Sequence, residues 1–336
     1  MSDAKDLTLI ESDVPAFIEL TPPPPALIAQ AGSAPTNAWH DFFGTIQNHY
    51  TRRAYEHAVR RFLNWLPSQF GPEQIRPAMV GRYIAAHVGS IPTRKLHLAA
   101  LRAFFDFLVT RHIVVLNPAA SVRGLRHVAV EGKTREITIE HAKALLASIR
   151  LQRITDKGEV MPLVVGLRDR AILATLIYTA ARSGAVARLR VRDLQHDGSQ
   201  WSLRFAEKGG KSREIPVRHD LQSFILAYLD MIPDWQTQKD EPIFRTTVRR
   251  TGTLTTTAVN NIDICRMMKR RLSDAGLSSL LSPHSFRVTT ITDLLTQGVP
   301  LEDVQFLAGH ADPRTTRLYD RRQKAMTRNI VERISI

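Results

Sequence analysis

Apolar residues recur at intervals of three and four along most of this chain, the period of helices that bury one face. In His49–Leu66 the apolar positions are Tyr55, Ala58, Val59, Phe62, Leu63 and Leu66, and the other face carries Arg52, Arg53, Arg60 and Arg61. A second helix is predicted over Ala78–Val88, after Pro77. A third, Thr93–Arg111, turns Leu96, Ala100, Leu101, Phe104, Phe105 and Leu108 inward and leaves Arg94, Lys95 and Arg102 among its remaining positions. Asn117-Pro118 ends the pattern, so residues 37–118 read as a small all-helical domain with basic outer surfaces.

Before that domain, residues 1–36 hold Pro22–Pro25, Gly32, Ser33 and Pro35 with weak periodicity, which predicts a flexible proline-rich arm. Its acids, Asp3, Asp6, Glu11, Asp13 and Glu19, argue against a strong grip on phosphate. After it, residues 119–136 form a basic linker with Arg123, Arg126, Lys133 and Arg135. A second domain, residues 137–336, opens with a helix at Thr138–Ile149 and a strongly apolar one at Leu167–Thr179. Two short strands follow, Trp201–Phe205 and Glu214–Val217, joined by Lys208-Gly209-Gly210-Lys211, where the glycine pair suits a hairpin turn. The rest reads as helix, at His219–Met231, Thr256–Asp274, His284–Thr296 and Leu301–Ala308. The expected class is mainly α with a small β-sheet (α+β), and the length of 336 residues fits two domains.

Charge narrows the partner. Lys and Arg total 46 against 32 Asp and Glu, a formal net charge of +14 that attracts polyanions, nucleic acid first among them. With 43% hydrophobic and 23% charged residues the chain can still bury ordinary cores. The single cysteine, Cys265, permits no disulfide within the chain and no cysteine zinc site, and it falls on an apolar helical stripe as a small core residue. No apolar run approaches a membrane span and the first residues form no signal peptide, so the expected location is the cytoplasm, at the nucleoid in a bacterium.

No phosphate-binding loop, zinc-protease motif or nucleophile elbow is present, and the carboxylates are too scattered for a two-metal nuclease. No metal or other cofactor is therefore expected, and chemistry on DNA would fall to cations and acid–base groups of the chain. Five stretches fit that demand: Arg182 after the apolar helix, Lys208 in the hairpin turn, His284 and Arg287 three residues apart on one helical face, Gly309-His310 at a helix end, and Tyr319 nine residues later. Each alone has a plain structural reading, as a helix-end charge, a solvated turn residue or a half-buried tyrosine. Their joint order is what carries information.

In that order the boxes resemble the catalytic domain of the tyrosine recombinase (phage integrase) family. Leu307-Ala-Gly-His310-Ala-Asp-Pro-Arg-Thr-Thr-Arg-Leu-Tyr319 is close to the family's Leu-Gly-His…Thr-Thr…Tyr, and Ser282-Pro-His284-Ser-Phe-Arg287 matches its Pro-His-x-x-Arg box. The likeness covers about residues 135–325, and the basic helical domain resembles the family's core-binding domain. Ala180-Ala181 stands where the family often has Gly-Leu, Gly184-Ala185 where it has Glu, and Val288 where many members have His. The resemblance implies a site-specific recombinase acting on double-stranded DNA through a 3′-phosphotyrosine, without metal or ATP, in integration, excision or resolution of mobile elements. It implies Tyr319 as nucleophile, Arg182 and Arg287 on the non-bridging oxygens, His284 as base, His310 as a further donor and Lys208 as acid, with Lys211 as rival for that last role.

Further DNA contacts are expected from Arg52, Arg53, Arg94, Lys95, Lys211 and Arg213. A charge layout of two basic domains on a basic linker suits a clamp on the duplex. After Tyr319 the positions Met326, Ile330, Val331 and Ile334 form an apolar stripe. Such helical tails in the family dock on a neighbour, which implies a homotetramer on synapsed DNA, with an accessory directionality protein or a second recombinase as further partners. A DNA-binding regulator without catalysis explains the charge but not the ordered residues. A type IB topoisomerase-like relaxase shares the chemistry and would need no specific site.

Overall fold

The computed structural model describes residues 23–67, 69–126, 134–206, 212–249 and 251–320. The chain divides at residues 128 and 129 into two compact units, each with its own core.

The first unit is helical: α1 (Ala26–Gln30), α2 (Ser33–Thr45), α3 (His49–Trp65), α4 (Pro77–Ala86) and α5 (Ile91–Thr110). Asn48 starts α3 by accepting the Tyr50 and Thr51 amides at 3.0 and 3.1 Å, and Pro77 opens α4 with its preset φ. The arm expected over residues 1–36 is therefore shorter at its inner end. Leu27 and Ile28 are buried, α2 begins at Ser33, and Trp39, Phe42 and Phe43 meet Phe104 of α5 edge-on or stacked in an aromatic core. The proline run masked this because it precedes the helices instead of interrupting them. Two residues of α5 also depart from expectation. Leu96 is exposed, and Arg102 turns back to donate to the carbonyls of Ala119, at 3.2 Å, and Val122, at 2.5 Å. The first residues of the predicted linker thus pack on the helical unit, with Ala119 fully buried.

The second unit is built around α7 (Val164–Thr179), whose residues Ala171 to Thr175 are all buried. Gly166 lets this helix start against the Arg150 carbonyl, where a Cβ would overlap the oxygen. Around α7 lie α6 (Ile139–Ala147), α8 (Ser183–Ala187), α9 (His219–Leu229), α10 (Asn261–Asp274) and α11 (Pro283–Thr296). They are followed by α12 (Leu301–Ala308) and the short α13 (Pro313–Arg317). Three small antiparallel sheets complete it: β1 (Gln152–Ile154) with β2 (Val160–Pro162), β3–β4–β5 (Leu194–His196, Trp201–Ala206, Ser212–Pro216), and β6 (Arg245–Thr247) with β7 (Leu254–Ala258). In the middle sheet Leu203 pairs with Ile215 and Phe205 with Arg213, and all four face the core.

The helix predicted from Thr256 begins only at Asn261. The β-branched run Thr255–Thr257 pairs with β6, and Asn260 caps α10 through the amides of Ile262 and Asp263 at 2.8 and 3.0 Å. Two threonines fix α11: Thr290 donates to the Ile177 carbonyl of α7 at 2.7 Å, and Thr289 to that of Ile137 at the same distance. A small satellite core of Val288, Ile291, Leu295, Val304, Ala308 and Tyr319 then holds α12 and the following turn against α11.

Candidate active site

Each site side chain stands where a helix starts or stops. Helix α7 ends on Ala180, which takes the left-handed conformation (φ 48°) although it is not glycine. That reversal turns the buried Ala180 carbonyl toward Arg287 and makes Arg182 the residue before α8, exposed to solvent. Helix α11 begins with Pro283, and His284 and Arg287 follow one turn apart. Helix α12 stops on Gly309, also left-handed (φ 60°), and His310 leaves the turn. Asp312 caps α13 through the Arg314 amide at 2.9 Å, and Tyr319 follows that helix, its amide donating to the Thr316 carbonyl at 3.0 Å.

These starts and stops converge. The Tyr319 hydroxyl lies 3.2 Å from His284 Nε2, and its ring stacks on His310 with centroids 6.1 Å apart and planes 13° from parallel. Arg287 is only 1% exposed and donates to the Ala180 carbonyl at 2.5 Å, which ties α11 to the α7 terminus. His310 Nδ1 is 2.8 Å from the hydroxyl of fully buried Thr316, and Gln305 donates to its carbonyl at 3.0 Å.

The electrostatics follow from burial beside arginines. Desolvation raises the Tyr319 pKa, and Arg287 and Arg182 oppose the rise. His284 keeps an exposed edge, yet desolvation and then the same two cations lower its pKa, so at neutral pH it can accept a proton. His310 is pushed down to about 3 by desolvation, then by Arg287, Arg182, His284 and Arg213, and stays neutral. A neutral imidazole and a protonated phenol in hydrogen-bond reach set a proton acceptor beside a donor, and both shifts hold the proton on the phenol.

Of the expected site residues, Arg182, His284, Arg287, His310 and Tyr319 are brought together. Lys208 and its rival Lys211 lie outside the described residues, as do Met326, Ile330, Val331 and Ile334. Arg213 departs from its expected role as a surface phosphate contact: it is 4% exposed, on the inward face of β5, with its guanidinium 5.4 Å from the Phe205 ring centroid. The period-two pattern Arg213, Ile215, Val217 would have placed it there. Arg53 and Lys95 are exposed as expected, while Arg52 and Arg94 are half-buried. Cys265 is half-buried with its thiol pKa raised by desolvation, an unreactive setting. Thr316 was not singled out in the sequence, because nothing in Thr315-Thr316 tells which hydroxyl faces His310.

Arginines and a histidine–tyrosine pair gathered at helix ends set cationic donors beside a hydroxyl and its proton acceptor, the groups that chemistry on a phosphodiester needs. Comparison with known proteins gives the lineage. Residues 150–326, more than half of the chain, match the phage integrase family, and residues 45–112 match its N-terminal SAM-like domain. The chain belongs to the phage integrase family, the tyrosine-type site-specific DNA recombinases.

Among curated relatives, it is 28% identical to tyrosine recombinase XerC of Chlamydia muridarum over 252 residues, 75% of this chain and 73% of that one. It is 27% identical to XerD of Chlorobaculum tepidum, over 80% of this chain and 84% of that one. The fold is shared with the XerH recombinase bound to palindromic difH in a post-cleavage complex (TM-score 0.66, 20% identity, 90% and 86% of the two chains). It is also shared with a lambda integrase tetramer bound to a Holliday junction (TM-score 0.57, 16% identity, 85% and 77%). Among the described residues no helix is long and apolar enough to cross a membrane.

Proposed function

We propose that the chain breaks and rejoins duplex DNA at a specific site through a 3′-phosphotyrosine on Tyr319. The observation that carries this reading is the Tyr319 hydroxyl at 3.2 Å from a neutral His284, with two arginines close enough to act on both groups. In the first step the Tyr319 oxygen attacks phosphorus, its proton passes to His284 Nε2, and the bond to the 5′-oxygen breaks. Lys208 protonates that oxygen, and Lys211 is the alternative donor. Arg182 and Arg287 hold the non-bridging oxygens through charge-assisted hydrogen bonds that strengthen as charge develops there. Neutral His310 adds a donor once Thr316 occupies its Nδ1. A 5′-hydroxyl of the partner strand then attacks phosphorus and releases Tyr319, which takes back a proton. One phosphate ester replaces another at each step, so the chemistry balances without ATP or metal.

The remaining assignments extend this reading. The helical unit grips DNA beside the crossover with Arg52, Arg53, Arg94 and Lys95, and the tail after Tyr319 links protomers into a tetramer on synapsed DNA. An accessory directionality protein or a second recombinase sets the outcome, which is integration, excision or resolution of an element at the nucleoid. The test incubates the protein with duplexes tiled across the DNA flanking its gene, in EDTA and without ATP. An adduct that survives SDS and disappears in Tyr319→Phe is expected. Persistence of the adduct in that variant would overturn the nucleophile assignment.

A further inference from the structure

At the other end of α7 sits a second concentration of charge that strand transfer does not use. Asp169 is fully buried, and three arginines share its two oxygens. Arg168 donates from Nε and NH2 to Oδ1 at 3.1 and 2.8 Å, and Arg271 from Nε and NH2 to Oδ2 at 3.0 and 2.8 Å. Arg270 adds a bond to Oδ2 at 3.1 Å, and Arg168 spends its remaining arm on the Arg245 carbonyl at 2.9 Å. Asp274 meets Arg271 at 3.3 Å.

These guanidinium groups face open space. Arg168, Arg270 and Arg271 line a cavity of about 470 Å³ whose wall also carries Arg153, from hairpin β1–β2, and Arg249, from the turn of hairpin β6–β7. Arg153, Arg249 and Arg270 are exposed, and among the described residues no carboxylate lines the space. Five arginines stand here, and the two carboxylates Asp169 and Asp274 bond three of them, which leaves a large positive excess in one recess. Bracing α7 against α10 needs only Asp169 and Arg271. The other cations repel one another across the cavity and raise its positive potential.

We propose that this cavity binds a phosphate-bearing ligand, separately from the active site. Guanidinium forks match phosphate oxygens two at a time, and the size of the charge excess calls for a multiply charged anion where a single carboxylate would fall short. The volume is in the range of small-molecule sites. Asp169 is the positioning residue: it occupies the forks of Arg168 and Arg271 and anchors them in the wall, beside the exposed guanidinium groups of Arg153, Arg249 and Arg270 that meet the ligand. The site lies about 18 Å along the α7 axis from the Ala180 turn, so it can be filled while the scissile phosphate is held. A phosphorylated small molecule and a phosphodiester strand share this chemistry.

The test is calorimetric titration of the full chain with inorganic pyrophosphate, in an Arg182→Ala background that weakens anion binding at the active site. Adding Arg153→Ala and Arg270→Gln, both exposed positions, is expected to weaken binding at least tenfold. Arg249→Ala alone should weaken it by about threefold. Unchanged affinity in both variants, or no binding in the background protein, would overturn the proposal. Displacement of pyrophosphate by a hexanucleotide without terminal phosphates assigns the cavity to a DNA strand. Retention assigns it to a phosphorylated small molecule.

Discussion

The two units each contain a cluster of tyrosine, histidines and arginines, and the clusters differ in how their hydroxyl partners are enclosed. In the helical unit the Tyr83 hydroxyl meets His97 Nδ1 at 2.8 Å, the His87 and His97 rings lie 4.3 Å apart, and Arg61 and Arg94 stand near. In the catalytic unit Tyr319, His284, His310, Arg182 and Arg287 make the parallel set. Burial is the largest cause of the shifts in both, and in the first it raises Tyr83 to about 12 and lowers His97 to about 4. Both of these side chains are almost fully enclosed by the core, so no substrate oxygen can reach them. In the second, Arg182 and an edge of His284 stay exposed while Tyr319 and Arg287 are anchored behind them. The two clusters differ in the histidine that meets the hydroxyl: Tyr83 pairs with enclosed His97, and Tyr319 with His284, which keeps an exposed edge.

The sharpest way to break this comparison is to remove each hydroxyl. Tyr319→Phe should abolish the covalent DNA adduct, whereas Tyr83→Phe should keep it and cost about 1 kcal/mol of stability, read from denaturant midpoints. If Tyr83→Phe also loses the adduct without unfolding, the helical cluster is not inert. The general-base assignment comes next: His284→Gln should slow adduct formation by about 10² to 10⁴. The wild-type rate should fall on acidification with an apparent pKa below 6.5, because burial and two arginines disfavour the imidazolium. In the variant that acid limb should vanish and the rate should climb with pH toward the raised pKa of Tyr319. A pH profile identical in both proteins would remove His284 from the proton transfer.

A smaller effect is expected at Thr316. Thr316→Val should slow cleavage by about tenfold, equivalent to about 1.4 kcal/mol, with Thr316→Ser restoring most of it. Nitrogen NMR should show His310 with its proton on Nε2 in the wild type and a tautomer mixture in the valine variant. Unchanged tautomers would make Thr316 a packing residue only.

Acid stability compares the units directly. His310 and His97 have folded pKa values near 3 and 4, below the unfolded value of 6.5. Their stabilising contribution is whole above pH 6.5 and is lost as the unfolded state gains protons, by up to about 1.4 kcal/mol per pH unit for each histidine. Both units should therefore soften between pH 6.5 and 4, and His97→Gln should flatten the slope for the helical unit alone. The least effect is at Ala180, whose left-handed φ costs an L-residue about 1 kcal/mol. Ala180→Gly should recover about that much in a denaturant melt, because glycine carries no Cβ to strain the left-handed turn.

Periodicity alone located most helices, because a stripe at three and four residues persists whatever the helix packs on. It placed His49–Leu66 and Leu301–Ala308 within a residue of α3 and α12. The ordered boxes around Arg182, His284, Arg287, His310 and Tyr319 were likewise legible, through their resemblance to the phage integrase catalytic domain. What needed the tertiary structure was every feature set by a partner distant in sequence. The threonine run at Leu254–Ala258 is a strand because β6 is there to pair with it, and Ala26–Gln30 is helical because Leu27 and Ile28 have a core to enter. Folding turned Arg213 inward over Phe205 and brought Thr316 to His310, neither of which a local pattern in the sequence had assigned. Asp169 and its three arginines were 101 and 102 residues apart at their widest, and no local pattern could foretell that one carboxylate would gather them. Local sequence sets which face of an element is apolar; the choice of neighbour, and with it burial, pKa and charge balance, belongs to the assembled fold.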